Sequence, residues 1–310
     1  MTSPRSARRS AVAPREEATN SAAVLSLPGL GAAEDEGARP FLKWAGGKTR
    51  LLTVLLRYFP YKFGEYYEPF VGAGSVFFAV RARAQGVQHL SDLNTELVNV
   101  WLAVKKQPQA LLGALAAYGG LDSEEEYYRV RDGAWPTDPI QRAALFIYLN
   151  QTAWNGLWRV NRWGVFNVPW GARHFRGVRE PDLLRVHHAL TQAEVSERDF
   201  REALEQPRKG DFVYLDPPYL PVSDTSKFAG YTEKRFRKAD LAELSECCER
   251  LSRRGVSWVM SNRDNAIVRE LFAHARIVAL TTRRSVAAQN RRDVEPIDSP
   301  EVVVIGAANL

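Results

Sequence analysis

Asp216-Pro217-Pro218-Tyr219 brings together a carboxylate, a backbone carbonyl and an aromatic ring directly after the apolar run Phe212-Val213-Tyr214-Leu215. A short apolar run bounded by turn residues predicts a buried strand. Two prolines lack amide donors, so Pro217 and Pro218 end the sheet ladder there. Asp216 and Tyr219 are thereby projected from the carboxyl edge, where open α/β sheets hold their ligands. The chemistry that suits this group is chemistry on an aromatic amine. Such a nitrogen is a poor nucleophile because its lone pair is delocalised into the ring, as in the N6 amine of adenine. A carboxylate and the Pro217 carbonyl, each accepting one of its protons, would draw the nitrogen toward tetrahedral geometry and free the lone pair. Tyr219 is placed to stack on the base.

A second constellation precedes it. Glu68-Pro69-Phe70-Val71-Gly72-Ala73-Gly74 runs from a predicted strand through a glycine turn into a helix. Glycines let a ligand approach the backbone, and the helix start offers free amide donors. The acid before the turn suits a cation rather than a pyrophosphate. S-adenosylmethionine, with its ammonium and sulfonium, is such a cation. Asp92 ends the next predicted strand, where dinucleotide folds use an acid to hold a ribose diol.

The third feature is a glycine-rich stretch that fits no helix. Trp154, Trp158, Trp163 and Trp170 are four of the chain's eight tryptophans. Arg159, Arg162, Arg173, Arg176, Arg179 and Arg185 accompany them, against only Glu180 and Asp182 between residues 150 and 185. Arginines interleaved with aromatics suit phosphate and groove contacts, and an aromatic can fill the gap left by an extruded base. The basic run Lys234, Arg235, Arg237 and Lys238 reads as a solvated face, with phosphate contact as the alternative.

The surrounding elements must position these groups. Strands are predicted at Glu65–Phe70, Gln88–Ser91, Asp211–Leu215, Ser257–Met260, Arg276–Thr281 and Glu301–Ile305. Helices are predicted after Gly74, over Leu93–Lys106, near 110–117 and 140–149, and over 239–253 and 264–273, with a polar connection carrying Asp132-Gly133 between the middle two. Strands alternating with helices at both ends imply a mainly parallel α/β sheet, interrupted by an insertion. Residues 1–38, rich in Ala, Ser, Glu and Arg, read as a disordered tail. The 310 residues carry a net charge of +6, which suits a polyanionic partner. No run of about 18 apolar residues suggests a membrane span, and Arg5, Arg8 and Arg9 lack the apolar segment of a secretory signal. The adjacent Cys247 and Cys248 read as helix thiols in a reducing cytoplasm. None of the five histidines stands in a metal-ligand spacing, and no metal is expected.

In order and content these motifs resemble the Dam-type DNA adenine-N6 methyltransferases, the α-group of the D12 class, from about Arg39 to Ile305. The resemblance implies a Rossmann-like class I sheet, binding S-adenosylmethionine, with an inserted helical and β-hairpin target-recognition domain. The implied segments are 39–106 and 196–310 for the catalytic domain and 107–195 for the insert. Phe41 to Lys48 looks like the family's N-terminal motif, so that Trp44 and Lys48 would contact the cofactor and Lys43 a guanine of the site. Glu68, Phe70, Gly72 and Gly74 fall in the methionine-end motif, Asp92 at the ribose acid, and Asp199-Phe200 at the pair that holds the cofactor's adenine. Asp216 to Tyr219 matches the catalytic motif, and Ser223 to Tyr231 the loop after it; Ser261-Asn262 resembles a later motif near the active site.

Trp154 to Asn161 and Phe166 to Pro169 resemble the family's DNA-reading hairpin. There Trp154 and Asn155 would enter the duplex, and Leu157, Arg159, Asn161 and Pro169 would meet the DNA. Trp154 stands for a smaller Tyr or Phe, and Ala172 for an arginine common in GATC-specific members, which points away from that site. Pro296 to Pro300 interrupts the usual run into the last strand. The implied activity is methyl transfer from S-adenosylmethionine to adenine N6 in double-stranded DNA with base flipping. A cognate restriction endonuclease stands as one candidate partner and a monomer as the simplest assembly. An Asp rather than Ser or Asn at position 216 favours adenine over cytosine, glutamine or RNA amines. A non-catalytic DNA-binding scaffold is the reading of a different class, and Trp44, Glu68, Asp92, Asp216 and Tyr219 together argue against it.

Overall fold

The computed structural model describes residues 37–161, 163–220, 236–280 and 300–306. Seven strands form one sheet: β1 (Tyr66–Glu68), β2 (Gln88–Asp92), β3 (Ala193–Glu197), β4 (Phe212–Leu215), β5 (Ser257–Arg263), β6 (Arg276–Leu280) and β7 (Glu301–Gly306), in the order β3-β2-β1-β4-β5-β7-β6. The first five are mutually parallel. β7 runs antiparallel to both of its neighbours. From β1 the chain builds outward through β2 and β3, then returns to lay β4 on the other side. That reversal is a topological switch point, where a crevice opens beyond the carboxyl ends of two strands. The two strands that flank it end in Glu68 and Leu215.

β4 shows why the crevice has rigid walls. Phe212 and Tyr214 join one apolar core, whereas Val213 and Leu215 join the other. A strand buried on both faces needs a continuous apolar run, which is what its sequence supplies. On the first face, Phe212 packs against Phe59, Phe63 and Tyr66 with ring centroids 4.9–5.9 Å apart. The second face is closed by α9 (Lys238–Arg253), whose Leu241, Leu244, Cys247, Cys248 and Leu251 are buried. Burial pushes both thiols above the ordinary cysteine range.

The remaining helices are α1 (Leu52–Leu55), α2 (Ser75–Val80), α3 (Thr95–Lys106), α4 (Pro108–Ala116), α5 (Glu124–Asp132), α6 (Pro139–Thr152), α7 (Glu180–Ala189), α8 (Phe200–Ala203) and α10 (Ala266–Leu271). Their starts are written in the sequence. Asn94 caps α3 through the Leu97 amide, and Asp138 caps α6 through that of Gln141. Pro108 and Pro139 each open a helix in the first turn, where no amide is needed. α6 is buried nearly all round from Ala143 to Thr152, because α3, α4 and the aromatic residues after it enclose it.

Three elements depart from the sequence-based expectation. The polar connection before Asp132-Gly133 holds α5, begun by a capping box between Ser123 and Glu126. α7 and β3 occupy a stretch without a predicted element. β3 is an edge strand whose Glu194 and Glu197 are exposed, so it lacks an apolar run. All but the last two residues of the expected tail lie outside the described residues, as do Ser223 to Tyr231, Lys234, Arg235 and Pro296 to Ser299. Among the described residues no helix is long and apolar enough to cross a membrane.

Removing the ring at the centre of the first core should be costly. Phe212→Ala is expected to destabilise the fold by about 3–5 kcal/mol. Urea unfolding should show a lower midpoint at an unchanged slope.

Candidate active site

β1 delivers Glu68 to the crevice almost wholly buried, and Tyr66, two residues earlier on the same face, donates its hydroxyl to Glu68 Oε2 at 2.8 Å. Burial, aided by the nearby Asp216, pushes the Glu68 carboxyl up to about 8; hydrogen bonds from Tyr66 and the Phe77 amide only partly offset this. A cation entering beside it would have an acid to neutralise. The turn that follows needs its glycine. Gly72 sits at φ +49°, and a Cβ there would lie 2.7 Å from the Trp44 indole. Trp44 therefore walls the turn, with its other partner Phe146 of α6 stacked at 6.2 Å. Trp101 of α3 fixes the same turn by donating to the Gly72 carbonyl at 3.0 Å. Gly74, at φ +70°, precedes α2.

Asp92 closes this part. Its carboxylate accepts from the Gly72 amide at 3.2 Å and the Asn94 amide at 3.0 Å. Burial nevertheless raises it to about 6. Asp92 thus ties the glycine turn to the start of α3.

Asp216 lies just beyond β4, and the 41–48 loop crosses over it. Lys48 Nζ sits 2.6 Å from Oδ1 and 2.7 Å from Oδ2, and donates to the Gly46 carbonyl at 2.7 Å. Lys48 is only 3% exposed. Burial alone would lower its pKa, but Asp216 and Tyr219 outweigh this and raise it, so it stays a cation. Its ammonium also lies 5.3 Å from the centre of the Tyr219 ring. From the side of β5, Ser261 Oγ donates to Asp216 Oδ1 at 3.1 Å and stands 2.8 Å from the Tyr214 hydroxyl. The loop, Asp216 and Tyr219 are thus gathered at one point, within electrostatic reach of Glu68.

Asp199 caps α8 and lies 3.1 Å from Arg201, whose other arms hold Asp240 and Glu243 of α9. Phe200 is buried against Phe70 and Phe236, with the Arg201 guanidinium over its ring. These residues join the carboxyl end of β3 to the second core.

Residues 153–170 form an antiparallel hairpin, bridged at Ala153 with Trp170 and at Val160 with Phe166. The Trp154 amide donates to the Pro169 carbonyl, and the Asn161 amide to that of Val165. Its tryptophans divide by role. Trp158 is core, stacked on Phe146 at 4.1 Å, whereas Trp154 and Trp163 are 44% and 67% exposed. Asn155 adopts φ +53°, and Asn155, Leu157 and Pro169 are exposed. Arg159 braces the hairpin through Asn167, and Asn161 Oδ1 caps its apex by accepting from Trp163 and Val165.

One buried residue that the sequence reading did not single out links this hairpin to the crevice. Asn150 of α6 accepts from the Lys43 amide at 2.9 Å and donates to the carbonyls of Lys43 and Gly156 at 2.7 and 3.3 Å. Gly156 is pressed so close that a Cβ would lie 2.6 Å from the Lys43 side chain. Burial and the nearby Arg173 and Arg176 lower the Lys43 pKa. The signal was an amide in an otherwise apolar helical run, Leu145 to Leu149.

The sequence profile of the D12 class N6 adenine-specific DNA methyltransferases matches residues 44–286. The type II methyltransferase M1.LlaDCHI of Lactococcus lactis subsp. cremoris is 32% identical over 260 residues, 81% of this chain and 90% of its own length. The type II methyltransferase M.MjaIII of Methanocaldococcus jannaschii is 36% identical over 245 residues, 73% and 85% of the two chains. The DNA adenine methylase of Escherichia coli K12 is 34% identical over 254 residues, 81% and 90%.

The buried acid of β1 leaves a signature in stability. Between about 4.5 and 8 the folded protein keeps a proton on Glu68 that the unfolded chain releases. This group's contribution is therefore full at low pH and is lost as pH rises through that window. Asp92 titrates only up to about 6, so the range from 6 to 8 isolates Glu68. Glu68→Gln should flatten the fall in melting temperature across that range; an identical slope in both proteins would exclude the assigned proton.

Proposed function

The chain belongs to the D12 class of N6 adenine-specific DNA methyltransferases, and from that membership we propose the division of labour among its residues, with S-adenosylmethionine as the methyl donor. The enzyme methylates adenine N6 in DNA. Asp216 is the observation that carries the assignment of roles: a carboxylate just beyond the end of β4, at the switch point, paired with an ammonium that also lies near the Tyr219 ring.

The residues present fit that donor. Burial, aided by Asp216, pushes Glu68 up to about 8, and the glycine turn leaves no Cβ between Trp44 and the backbone. Trp44, Glu68, Phe70, Gly72, Gly74 and Asp92 would hold it, with Asp199 and Phe200 further along the edge. When bound it supplies a methyl group made electrophilic by a sulfonium charge.

The reaction needs the amine outside the base stack, since N6 is out of reach within a duplex. Residues 107–195 form the target-recognition segment in this reading. Trp154 and Asn155, exposed at the hairpin's base, take the space of the extruded adenine. Lys43, Leu157, Arg159 and Pro169 meet base edges and backbone, with Asn161 shaping the apex. Asp216 and the Pro217 carbonyl accept the two amine protons and Tyr219 stacks on the ring, with Pro218 fixing the turn between them. Lys48 holds Asp216 in place. The substrate is duplex DNA bound by a single copy of the chain, acting in the cytoplasm.

Asp216→Asn should lower methyl transfer by about 10²–10⁴-fold, the range for losing a positioned proton acceptor. Calorimetry should find donor binding changed little; transfer at the wild-type rate would overturn the assignment. In the wild type, donor affinity should rise with pH up to about 8, because binding a cation expels the proton from Glu68. Titrations in buffers of different ionisation heat should report that released proton, and its absence would remove Glu68 from the donor site.

A further inference from the structure

A buried polar chain with no role so far runs behind the catalytic acid. The register pairs Leu215 with Met260, so Asp216 and Ser261 share the next rung of the sheet. Tyr214, two residues before Asp216, points to the same face. Its hydroxyl is 2.8 Å from Ser261 Oγ, which lies 3.1 Å from Asp216 Oδ1. Tyr214 and Ser261 are each 1% exposed. A hydroxyl has one proton. Ser261 gives its proton to Asp216, so Tyr214 must give its own to Ser261. The chain is therefore directed, from Tyr214 through Ser261 to the carboxylate. Burial holds the Tyr214 phenol protonated, as that role needs.

Asp216 offers about four lone pairs on its two oxygens. Oδ1 accepts from Ser261, Oδ2 accepts from Lys48, and the Lys48 ammonium also lies 2.6 Å from Oδ1. Among the described residues Oδ1 has two close partners and Oδ2 one, so Oδ2 is the oxygen with more room for a further donor. Lys48 alone would leave the carboxylate free to rotate about its axis with either oxygen outward. Ser261 breaks that symmetry.

We propose that Ser261, backed by Tyr214, is a positioning residue for methyl transfer: it fixes the plane of the Asp216 carboxylate so that Oδ2 receives the amine proton. The proposal rests on the role given to Asp216 above and adds the device that orients it. Neither hydroxyl touches substrate in this arrangement; both act through the acid.

The test compares Ser261→Ala, Tyr214→Phe and their combination on duplex DNA containing a methylatable adenine, with wild-type turnover as the control. Misplacing a reacting group by a fraction of its bond length is costly, so Ser261→Ala should lower kcat about 10–100-fold with KM for DNA and donor changed by less than about twofold. Tyr214→Phe should lower kcat by a smaller factor, about 3–10-fold. The double variant should match Ser261→Ala, because Tyr214 acts only through the serine. Ser261→Thr, which keeps the hydroxyl, should recover most of the rate. A kcat for Ser261→Ala within twofold of wild type, multiplying losses in the double variant, or equal losses in the Ala and Thr variants would each overturn the proposal. If Ser261→Ala does not fold, Tyr214→Phe keeps the ring volume and decides alone: an unchanged kcat counts against the chain. Failure of Asp216→Asn to lose activity would instead strike the underlying assignment.

Discussion

A buried Lys48 and a half-buried Asp216 form an ion pair, and the crevice is organised around it. Burying two opposite charges costs several kcal/mol per ion and is tolerated only when geometry is held and remaining valences are filled. Three separate pieces of the chain meet that condition. The 41–48 loop supplies the ammonium and, through Gly46, a carbonyl to receive its third direction. β4 supplies the acid at a fixed height above the sheet. β5 supplies a hydroxyl on the adjacent rung. A shift of the loop or of β4 would leave a charge unpaired, and a shift of β5 would take a hydroxyl from the acid.

The three acids around the crevice differ through their surroundings. Asp216 has a resident cation. Glu68, one strand away, accepts from a phenol and an amide, and burial raises its carboxyl to about 8. Asp92 has backbone amides and rises to about 6. Like side chains are thus prepared differently: one paired with an ammonium, one kept largely neutral until a positive group arrives, and one used to brace a turn. The contrast follows from burial and partners alone.

Much of this was legible beforehand because the informative residues are chemically unusual. Two prolines after an apolar run can end only one kind of element, and Gly72 is demanded by a backbone angle. The Lys48 to Asp216 contact spans 168 residues, and no local pattern announces it. The sequence reading named Lys48 by resemblance, and the contact of its ammonium with the acid appears only in the fold. Ser261 was noticed only as part of a motif, since its partner lies on another strand. β3 escaped because an edge strand with exposed acids carries no alternating apolar signal, and α5 because its nine residues begin with three glutamates; its Ser123 and Glu126 cap was the readable clue. The hairpin tryptophans looked equivalent in sequence, and only packing separates Trp158 from Trp154 and Trp163.

The sheet is not assembled in the order in which it is synthesised. β6 leaves the ribosome before β7, yet β7 lies between β5 and β6 and pairs with both. Until residues 301–306 emerge, one margin of β5 stays open and β6 has nothing in the sheet to join. Chains grow at roughly 5–20 residues per second, so the nascent protein spends seconds with its N-terminal half able to collapse and the strand bearing Ser261 still a raw edge. Insertion of Val302 to Ile305, buried on both sides, is what converts that edge into an interior. Emergence of residues 301–306, rather than early collapse, therefore sets the moment at which the sheet can first be completed.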